Sequence, residues 1–258
     1  MKIASFNINS VRARINNLIE WLNTEQPDVV LLQELKCQDD QFPYMEIESA
    51  GYKAEVFGQK AYNGVAIISK HEMNDVLKGL PFDETDEQSR YIEATINGIR
   101  VCNLYLPNGN PLGTEKYDYK LKWMDRLGKH IKTNLLTMDK PVVIGGDYNV
   151  IPMDDDCVNP ADWTNDAAAT DATRARFNAF QNLGLYEVFK TLHPNKTHEF
   201  TFWDYQRGAW DKNNGIRIDF FLANGSCMDM ITDCWVDKNP RSEEKSSDHT
   251  PLVISLNN

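Results

Sequence analysis

Short apolar runs recur along the whole chain and constrain its fold more than any other feature. Eight runs of five or six residues are typical of buried strands: residues 3–8, 29–33, 65–69, 92–96, 101–106, 142–146, 218–223 and 252–256. Two amphipathic helices are predicted between them, one after a Ser10 cap and one after a Thr114 cap. Strands and helices do not alternate regularly, so the pattern predicts an α/β fold, a four-layer α-β-β-α sandwich in which two mixed sheets pack face to face with helices outside.

Length and composition indicate an ordinary globular chain. The 258 residues, with 41% hydrophobic and 25% charged side chains, are expected to form one domain over residues 1–258. The five cysteines are odd in number and lack CxxC spacing, which favours reduced, mostly buried thiols. No apolar run approaches the roughly 20 residues of a membrane span, and no secretory apolar core follows the N-terminus. We therefore expect a soluble, cytoplasmic monomer.

The charge balance excludes one class of function. A formal net charge of −11 argues against a protein that coats nucleic acid, because phosphate contacts supply most non-specific affinity. It does not exclude a DNA enzyme, since screening over about 8 Å lets a local basic face act despite distant acidic residues.

Polar side chains fall at or just beyond the ends of the predicted strands, where scaffolded sites are usually built. They are Asn7, Glu34, Asn108, Asp147, Asn149, Asp219, Asp248 and His249. Each has a structural alternative: Glu34 as a solvated strand end, and His249 as a satisfied structural histidine. Taken together, four carboxylates with amides and one histidine predict a site for Mg²⁺ or Mn²⁺, which prefer oxygen ligands.

Two of these segments carry a more specific signal. Glycines 145 and 146 let the backbone approach a ligand closely before Asp147 and Asn149, which would project together if the segment stays extended. The alternative is an Asx turn that only ends the strand. Asp219 lies inside an apolar strand, where a carboxylate is costly unless it is paired or metal-bound.

Five segments resemble the signatures of the exodeoxyribonuclease III / class II AP endonuclease family. They are FNINSVRAR, PDVVLLQELK, YLPNG, GGDYN, and NNGIRIDFFLAN with SSDHTP, and they come in the family's order over nearly the whole chain. Several occur throughout the endonuclease/exonuclease/phosphatase superfamily, which also contains inositol-phosphate phosphatases and sphingomyelinases. QELK, YLPNG and TFWDY favour the DNA repair branch.

The resemblance implies a role for each strand-end residue. The implied metal ligands are Asn7, Glu34, Asp147, Asn149, Asp248 and His249. Asp219 would orient His249, and Asp147 would position or deprotonate the attacking water with help from Asn149. Tyr105 and Asn108 would contact the phosphate or assist the leaving oxygen. Both a base role and a charge-stabilising role remain open for His249, whose protonated form the nearby carboxylates would favour.

The resemblance also implies where DNA is held. Phe202 and Trp203 would lie near a pocket for a base-less sugar with Ile218 as a further wall, whereas Phe200 is expected in the core. Ile216 stands where animal-type enzymes carry Trp, which bears on the shape of that pocket. Phosphate contacts are expected from basic residues next to the motifs: Arg12, Arg14, Lys36, Lys116, Arg174, Arg176, Lys212 and Arg217. No zinc finger or basic helix is apparent, so recognition would depend on duplex shape and lesion.

These features predict a Mg²⁺- or Mn²⁺-dependent DNA repair phosphodiesterase. Its partner would be double-stranded DNA with abasic sites or 3′ blocking groups. It would incise 5′ to abasic sites, act as a 3′-5′ exonuclease and clean 3′ ends. One alternative is a phosphatase or phosphodiesterase for inositol phosphates or lipids, which the acidic surface favours mildly. Another is a catalytically inactive DNA- or protein-binding scaffold.

Overall fold

The structure is a computed structural model that describes residues 1–257, and its framework is two six-stranded sheets. The strands are β1 (Lys2–Asn7), β2 (Val29–Gln33), β3 (Lys53–Phe57), β4 (Val65–Ser69), β5 (Asn74–Lys78), β6 (Tyr91–Ile96), β7 (Ile99–Tyr105), β8 (Val142–Asp147), β9 (Leu185–Glu187), β10 (Asp219–Asn224), β11 (Ile231–Val236) and β12 (Leu252–Leu256). The first sheet has the order β11-β12-β1-β2-β4-β3, and the second has the order β5-β6-β7-β8-β10-β9.

Strand direction brings the predicted site residues to one edge of each sheet. β1 and β2 run parallel, as do β7 and β8, so the carboxyl ends of each pair lie side by side. β12 is antiparallel to β1 and β10 is antiparallel to β8, so the starts of β12 and β10 lie at those same edges. The register pairs Asp147 directly with both Tyr105 and Asp219.

Six α-helices within residues 1–257 accompany the sheets. They are α1 (Ile15–Glu25), α2 (Tyr44–Ser49), α3 (Glu115–Thr133), α4 (Asp171–Asn182), α5 (Val188–Leu192) and α6 (Gly225–Met228). None of the helices within residues 1–257 is both long enough and apolar enough to cross a membrane.

Alternation along the strands produces the layers, because successive side chains point to opposite faces. In β2, Val29 and Leu31 belong to the core between the sheets, and Val30 and Leu32 pack outward in the cluster that includes α1. On the other side, α3 and α4 pack with the outer face of the second sheet. The predicted four-layer sandwich is confirmed, and all five cysteines are buried free thiols, as expected.

The strand predictions were correct for the centre of each sheet and incomplete at the edges. All eight predicted strands are present, with ends within two residues of those predicted. The four strands not predicted are β3, β5, β9 and β11, which are the outermost strands of the two sheets. An edge strand faces solvent along one side and lacks a continuous apolar run.

The predicted Ser10 cap was wrong. Ser10 has a left-handed φ of 83° and donates its N–H to the carbonyl of Glu34, and α1 begins only at Ile15. The residues between form a loop beside the strand ends. Thr114 does occupy the N-cap position of α3, although its hydroxyl donates to the carbonyl of Pro111 instead of capping the helix.

Candidate active site

Asn7 joins the two sheets at the centre of the candidate site. Its side chain is fully buried, and its amide nitrogen lies 3.0 Å from Glu34 Oε1 and 3.0 Å from Asp147 Oδ2. Glu34 follows a strand of the first sheet, whereas Asp147 ends a strand of the second. One amide therefore holds a carboxylate from each sheet, so the predicted convergence of distant residues is present.

Glu34 is surrounded by hydrogen-bond donors. Tyr105 donates its hydroxyl to Glu34 Oε1 at 2.8 Å, and Lys36 Nζ lies 2.9 Å from Oε2. Burial alone would raise the pKa of Glu34, but the Lys36 ammonium and the hydrogen bonds from Asn7 and Tyr105 outweigh it and hold the pKa below its usual value. Glu34 is therefore ionised at neutral pH.

A buried array is formed by Asp147 and Asp219 of the second sheet and by His249, which precedes β12 of the first sheet, and each exposes 4% or less of its side chain. His249 Nδ1 lies 2.9 Å from Asp219 Oδ2, and its Nε2 lies 3.7 Å from Asp147 Oδ2. Burial would lower the pKa of His249, but Asp219 and then Asp147 outweigh it and raise that pKa. The imidazole is therefore held in its charged form, the direction that the sequence predicted.

Burial raises the pKa of Asp147 and Asp219 adds to the effect, with His249 opposing both. Two buried carboxylates therefore share one cation.

The same array could hold a metal ion. Asp147, Asp219 and His249 each have a potential ligand atom, and these atoms all lie within 4.8 Å of one another, although the His249 nitrogen can bind a cation only after it loses its proton. Asp219 Oδ1 is buried and has no hydrogen-bond partner among residues 1–257, so this acceptor is left for a cation or a water molecule. Both oxygens of Glu34, by contrast, already accept hydrogen bonds.

The segment after β8 turns instead of staying extended. Asn149 has a φ of 48°, and its N–H donates to Asp147 Oδ1 at 2.9 Å, which is the Asx turn considered as the alternative. The turn does more than end the strand. It points the Asn149 side chain at the loop after β7, where its amide nitrogen donates to the carbonyl of Leu106 at 2.9 Å and its oxygen accepts from Asn108 Nδ2 at 3.2 Å.

Asp248 lies on the first-sheet side of the site, connected through a residue that sequence reasoning missed. Asn9 donates its side-chain nitrogen to Asp248 Oδ1 at 2.9 Å and accepts from Lys36 Nζ at its oxygen. A chain of contacts thus runs from Asp248 through Asn9 and Lys36 to Glu34. The spacing of Asn9, two residues after Asn7 in one motif, was the signal that could have found it.

Some of the residues predicted for the sugar pocket lie at the surface, and others lie in the core. The Phe202 ring is half-buried with its centroid 5.0 Å from that of His249, beside a pocket of about 630 Å³ that Trp163, Ile216 and Lys212 also line. The prediction that Trp203 lies at the pocket was wrong, because the Trp203 side chain is 0% exposed and packs against Phe200 and Trp210.

Ile218 is 5% exposed and packs in a small cluster with Ile216 behind Phe202, so it supports the pocket from inside. Phe200 lies in the core, as expected.

The basic residues predicted to contact DNA differ in their exposure and in whether they already form ion pairs within the protein. The prediction that Arg217 contacts DNA was wrong, because its side chain is buried and lies 2.8 Å from Asp156 and 3.1 Å from Glu187. Arg14 donates to the Asn9 carbonyl and to the Tyr205 hydroxyl, so it braces the loop that carries Asn9.

Arg174 and Arg176 are paired with Asp154 and Asp125. Arg12, Lys116 and Lys212 are exposed. Contact with DNA stays a prediction for these residues.

Comparison with known proteins relates the whole chain to one family. The model of the endonuclease/exonuclease/phosphatase family matches residues 4–249. The chain is 34% identical to exodeoxyribonuclease III of Haemophilus influenzae over 98% of both chains. It resembles the structure of an AP endonuclease from Archaeoglobus fulgidus with a TM-score of 0.94 and 38% identity, covering 100% of both chains.

A 3′ phosphatase from Neisseria, solved bound to product DNA hairpin, has a TM-score of 0.96 and 33% identity over 100% of this chain and 99% of its own. Matches of this length and identity show common ancestry as well as a common fold, and they confirm the resemblance inferred from the motifs. The chain belongs to the endonuclease/exonuclease/phosphatase family, in the branch that contains exodeoxyribonuclease III and the AP endonucleases.

Proposed function

We propose that this protein is a Mg²⁺- or Mn²⁺-dependent DNA repair phosphodiesterase that incises 5′ to abasic sites, removes nucleotides from 3′ ends and clears 3′ blocking groups of duplex DNA. The observation that carries the proposal is the buried Asp219–His249–Asp147 array beside the Asn7–Glu34 contact. Groups of this kind act on a scissile phosphate by positioning and charge stabilisation. The names of the relatives, which include an AP endonuclease and a DNA-bound 3′ phosphatase, support DNA as the substrate.

The donor set fits a divalent cation of the oxygen-preferring kind. We propose that the ligands come from the oxygen donors of the predicted set, Asn7, Glu34, Asp147, Asn149 and Asp248, with Asp219 as an added candidate because of its unpartnered buried oxygen. His249, also in the predicted set, would bind a cation only as the neutral imidazole, which the two neighbouring carboxylates disfavour. When bound, such a cation neutralises negative charge that develops on the phosphoryl group.

The geometry favours different roles for His249 and Asp147. An imidazole held in its charged form by Asp219 has no free lone pair to accept a proton, so His249 serves to stabilise the phosphate charge. Asp147, whose burial raises its pKa, is the group that orients or deprotonates the attacking water. Asn149, hydrogen-bonded to the Asp147 carboxylate, fixes its orientation.

Tyr105 and Asn108 are proposed to act on the leaving oxygen. Burial and the neighbouring Glu34 raise the pKa of Tyr105, so its hydroxyl remains a hydrogen-bond donor at neutral pH. Asn108 is exposed at the mouth of the site, with its amide nitrogen directed at Asn149. Both side chains come from β7 and the loop that follows it, on the same edge as Asp147.

Cleavage of an abasic duplex in the presence of Mg²⁺ tests this function. Asp147→Asn and Glu34→Ala should each lower the single-turnover rate by at least about 1,000-fold, because each removes a charged group that acts on the reacting phosphate. The exposed Asp139→Asn is the matched control and should retain the wild-type rate. Circular dichroism and thermal unfolding should show that all three variants are folded.

Parallel incubations with a 3′-phosphate duplex, an undamaged recessed duplex and an inositol polyphosphate define the substrate class. Full activity of either site variant would overturn the proposal, as would turnover of the inositol polyphosphate alone. Activity that survives EDTA would contradict the metal dependence.

A further inference from the structure

Lys120 is a buried lysine that the proposed chemistry does not use. It is 0% exposed and lies on the inward face of α3, in line with Trp123, Met124 and Leu127. A cation in such a place is costly unless its donors are satisfied. Burial lowers the pKa of Lys120 to about 7, against the opposing influence of Asp147 and Asp166.

The partners of Lys120 are two backbone carbonyls, both from residues of the candidate site. Its Nζ donates to the carbonyl of Asn149 at 2.6 Å and to that of Asn108 at 3.2 Å. Among residues 1–257 no carboxylate lies within ion-pair distance of this nitrogen. An ammonium and a neutral amine can both donate two such bonds, so the contact does not depend on the protonation state.

These bonds close a ring around the two amides. The Asn108 and Asn149 side chains contact each other at 3.2 Å, while Lys120 holds their backbones from behind. The loop after β8 is supported where its backbone is least favourable, because Asn149 has a left-handed φ of 48°. The lysine stem also packs on Gly109, where an added Cβ would lie 2.6 Å from Lys120 Cδ.

We propose that Lys120 is a positioning residue that sets the two amide side chains against the scissile phosphate by clamping the loops after β7 and β8. The inference rests on the proposed function, because it assigns Lys120 to the reaction through Asn108 and Asn149. Lys120 touches neither substrate nor metal in this role. A one-ångström displacement of a group can cost about 100-fold in rate, so the clamp has a measurable effect.

Lys120→Met tests the clamp, because it keeps the apolar stem over Gly109 and removes every donor. The single-turnover rate on an abasic duplex should fall about 10- to 100-fold while KM changes less than about threefold. In an Asn149→Ala background, with enzyme in excess, the same change should cost less than about threefold, since one of the two amides is already absent and Asn108 has lost its hydrogen-bond partner. The loss in melting temperature should be equal in both backgrounds.

Two controls separate positioning from loss of stability. Lys122→Met makes the same chemical change at an exposed position of α3 and should behave as wild type. Leu127→Ala removes apolar contacts from the same helix face, and it should lower the melting temperature without lowering the rate per folded molecule. The inference fails if Lys120→Met retains the wild-type rate, if its effect multiplies fully with Asn149→Ala, or if Leu127→Ala loses as much rate.

A spectroscopic readout keeps this inference separate from the proposed function. The side-chain amide resonances of Asn108 and Asn149 should shift in Lys120→Met and remain in place in Lys122→Met. Unshifted resonances overturn the clamp. Wild-type protein that cleaves no DNA substrate overturns the proposed function alone, and the resonances then decide whether Lys120 positions the two amides.

Discussion

Two of the buried clusters of charged side chains in this protein have opposite electrostatics. In the first, on the outer face of the second sheet beneath α3, Glu93 contacts Arg100 at 2.7 Å and His130 at 3.0 Å, and it accepts from the Tyr91 hydroxyl. In the second, at the strand ends, Asp219 and Asp147 share His249. The first has one carboxylate among several donors, whereas the second has two carboxylates for one cation.

The difference appears in the pKa values. Burial would raise the pKa of Glu93, but hydrogen bonds from His130 and Arg100 outweigh it and lower the pKa to about 2. Burial raises the pKa of Asp147 and its donors do not compensate. Both oxygens of Glu93 are hydrogen-bonded, whereas Asp219 retains an unpartnered buried oxygen. A buried carboxylate whose donors compensate its charge stabilises the fold, while one that lacks donors is where a ligand or a reaction can supply the missing charge.

The largest effect should follow from Asp219→Asn. The amide cannot hold the His249 imidazolium, so the pKa of His249 should fall and the ring can take the wrong tautomer, which cost about 10⁴-fold in the comparable aspartate-to-asparagine change of a serine protease. We expect a fall of about 1,000-fold or more in the single-turnover cleavage rate. The fold should persist, because the variant removes a charge that was only partly compensated.

NMR titration of the histidines would measure the pKa of His249, and circular dichroism would show whether the variant is folded. A variant that keeps its cleavage rate, or whose His249 pKa does not fall, would show that the Asp219–His249 contact is structural, like the Glu93 cluster.

Glu93→Gln should have the opposite effects: a loss of stability with little change in the cleavage rate. Removing one partner of a buried ion pair leaves Arg100 uncompensated and should lower the free energy of unfolding by about 3–5 kcal/mol, with the cleavage rate within about twofold of wild type. Because the folded pKa of Glu93 is depressed from 4.5 to about 2, its contribution is present above pH 4.5 and is lost as pH falls through about 2.

Urea unfolding between pH 7 and pH 2 should therefore show a steeper acid dependence for wild type than for the variant. Glu84→Gln, an exposed change of the same kind, should follow the wild-type curve. Parallel curves for wild type and Glu93→Gln would contradict the assigned role of this carboxylate.

The contrast between the two clusters also explains what the sequence could predict. Asp147, Asp219 and His249 were predictable, because a polar residue at the end of an apolar strand is conspicuous and strand direction brings such ends together. Lys120 was not, since a lysine on a helix resembles a solvated residue until the neighbouring carbonyls are in place. Asn9 was missed although its spacing from Asn7 was a signal, because an asparagine in a loop has no marked pattern of its own. Trp203 was misplaced because an aromatic residue beside a site motif can face the pocket or the core.

The fold followed the same logic. Central strands such as β2 and β12, buried on both faces, were predicted at both ends, whereas the edge strand β5 has the exposed sequence NDVLK and no apolar signal. The start of α1 was misjudged because the apolar periodicity extends to Val11, while the hydrogen bond of Ser10 to the Glu34 carbonyl holds that segment in a loop. In both cases tertiary contacts overrode the local pattern.

The smallest effect should come from the half-exposed side of the site. Lys36 lies 2.9 Å from Glu34 with 32% of its side chain exposed, and exposed ion pairs contribute little. Lys36→Met should lower kcat/KM for an abasic duplex by less than about tenfold, because Glu34 keeps its bonds from Asn7 and Tyr105. Lys36→Arg is the matched control and should lose less than the methionine variant. A loss as large as that of Asp219→Asn would mean that solvent does not screen this pair, and that burial does not separate the two sides of the site.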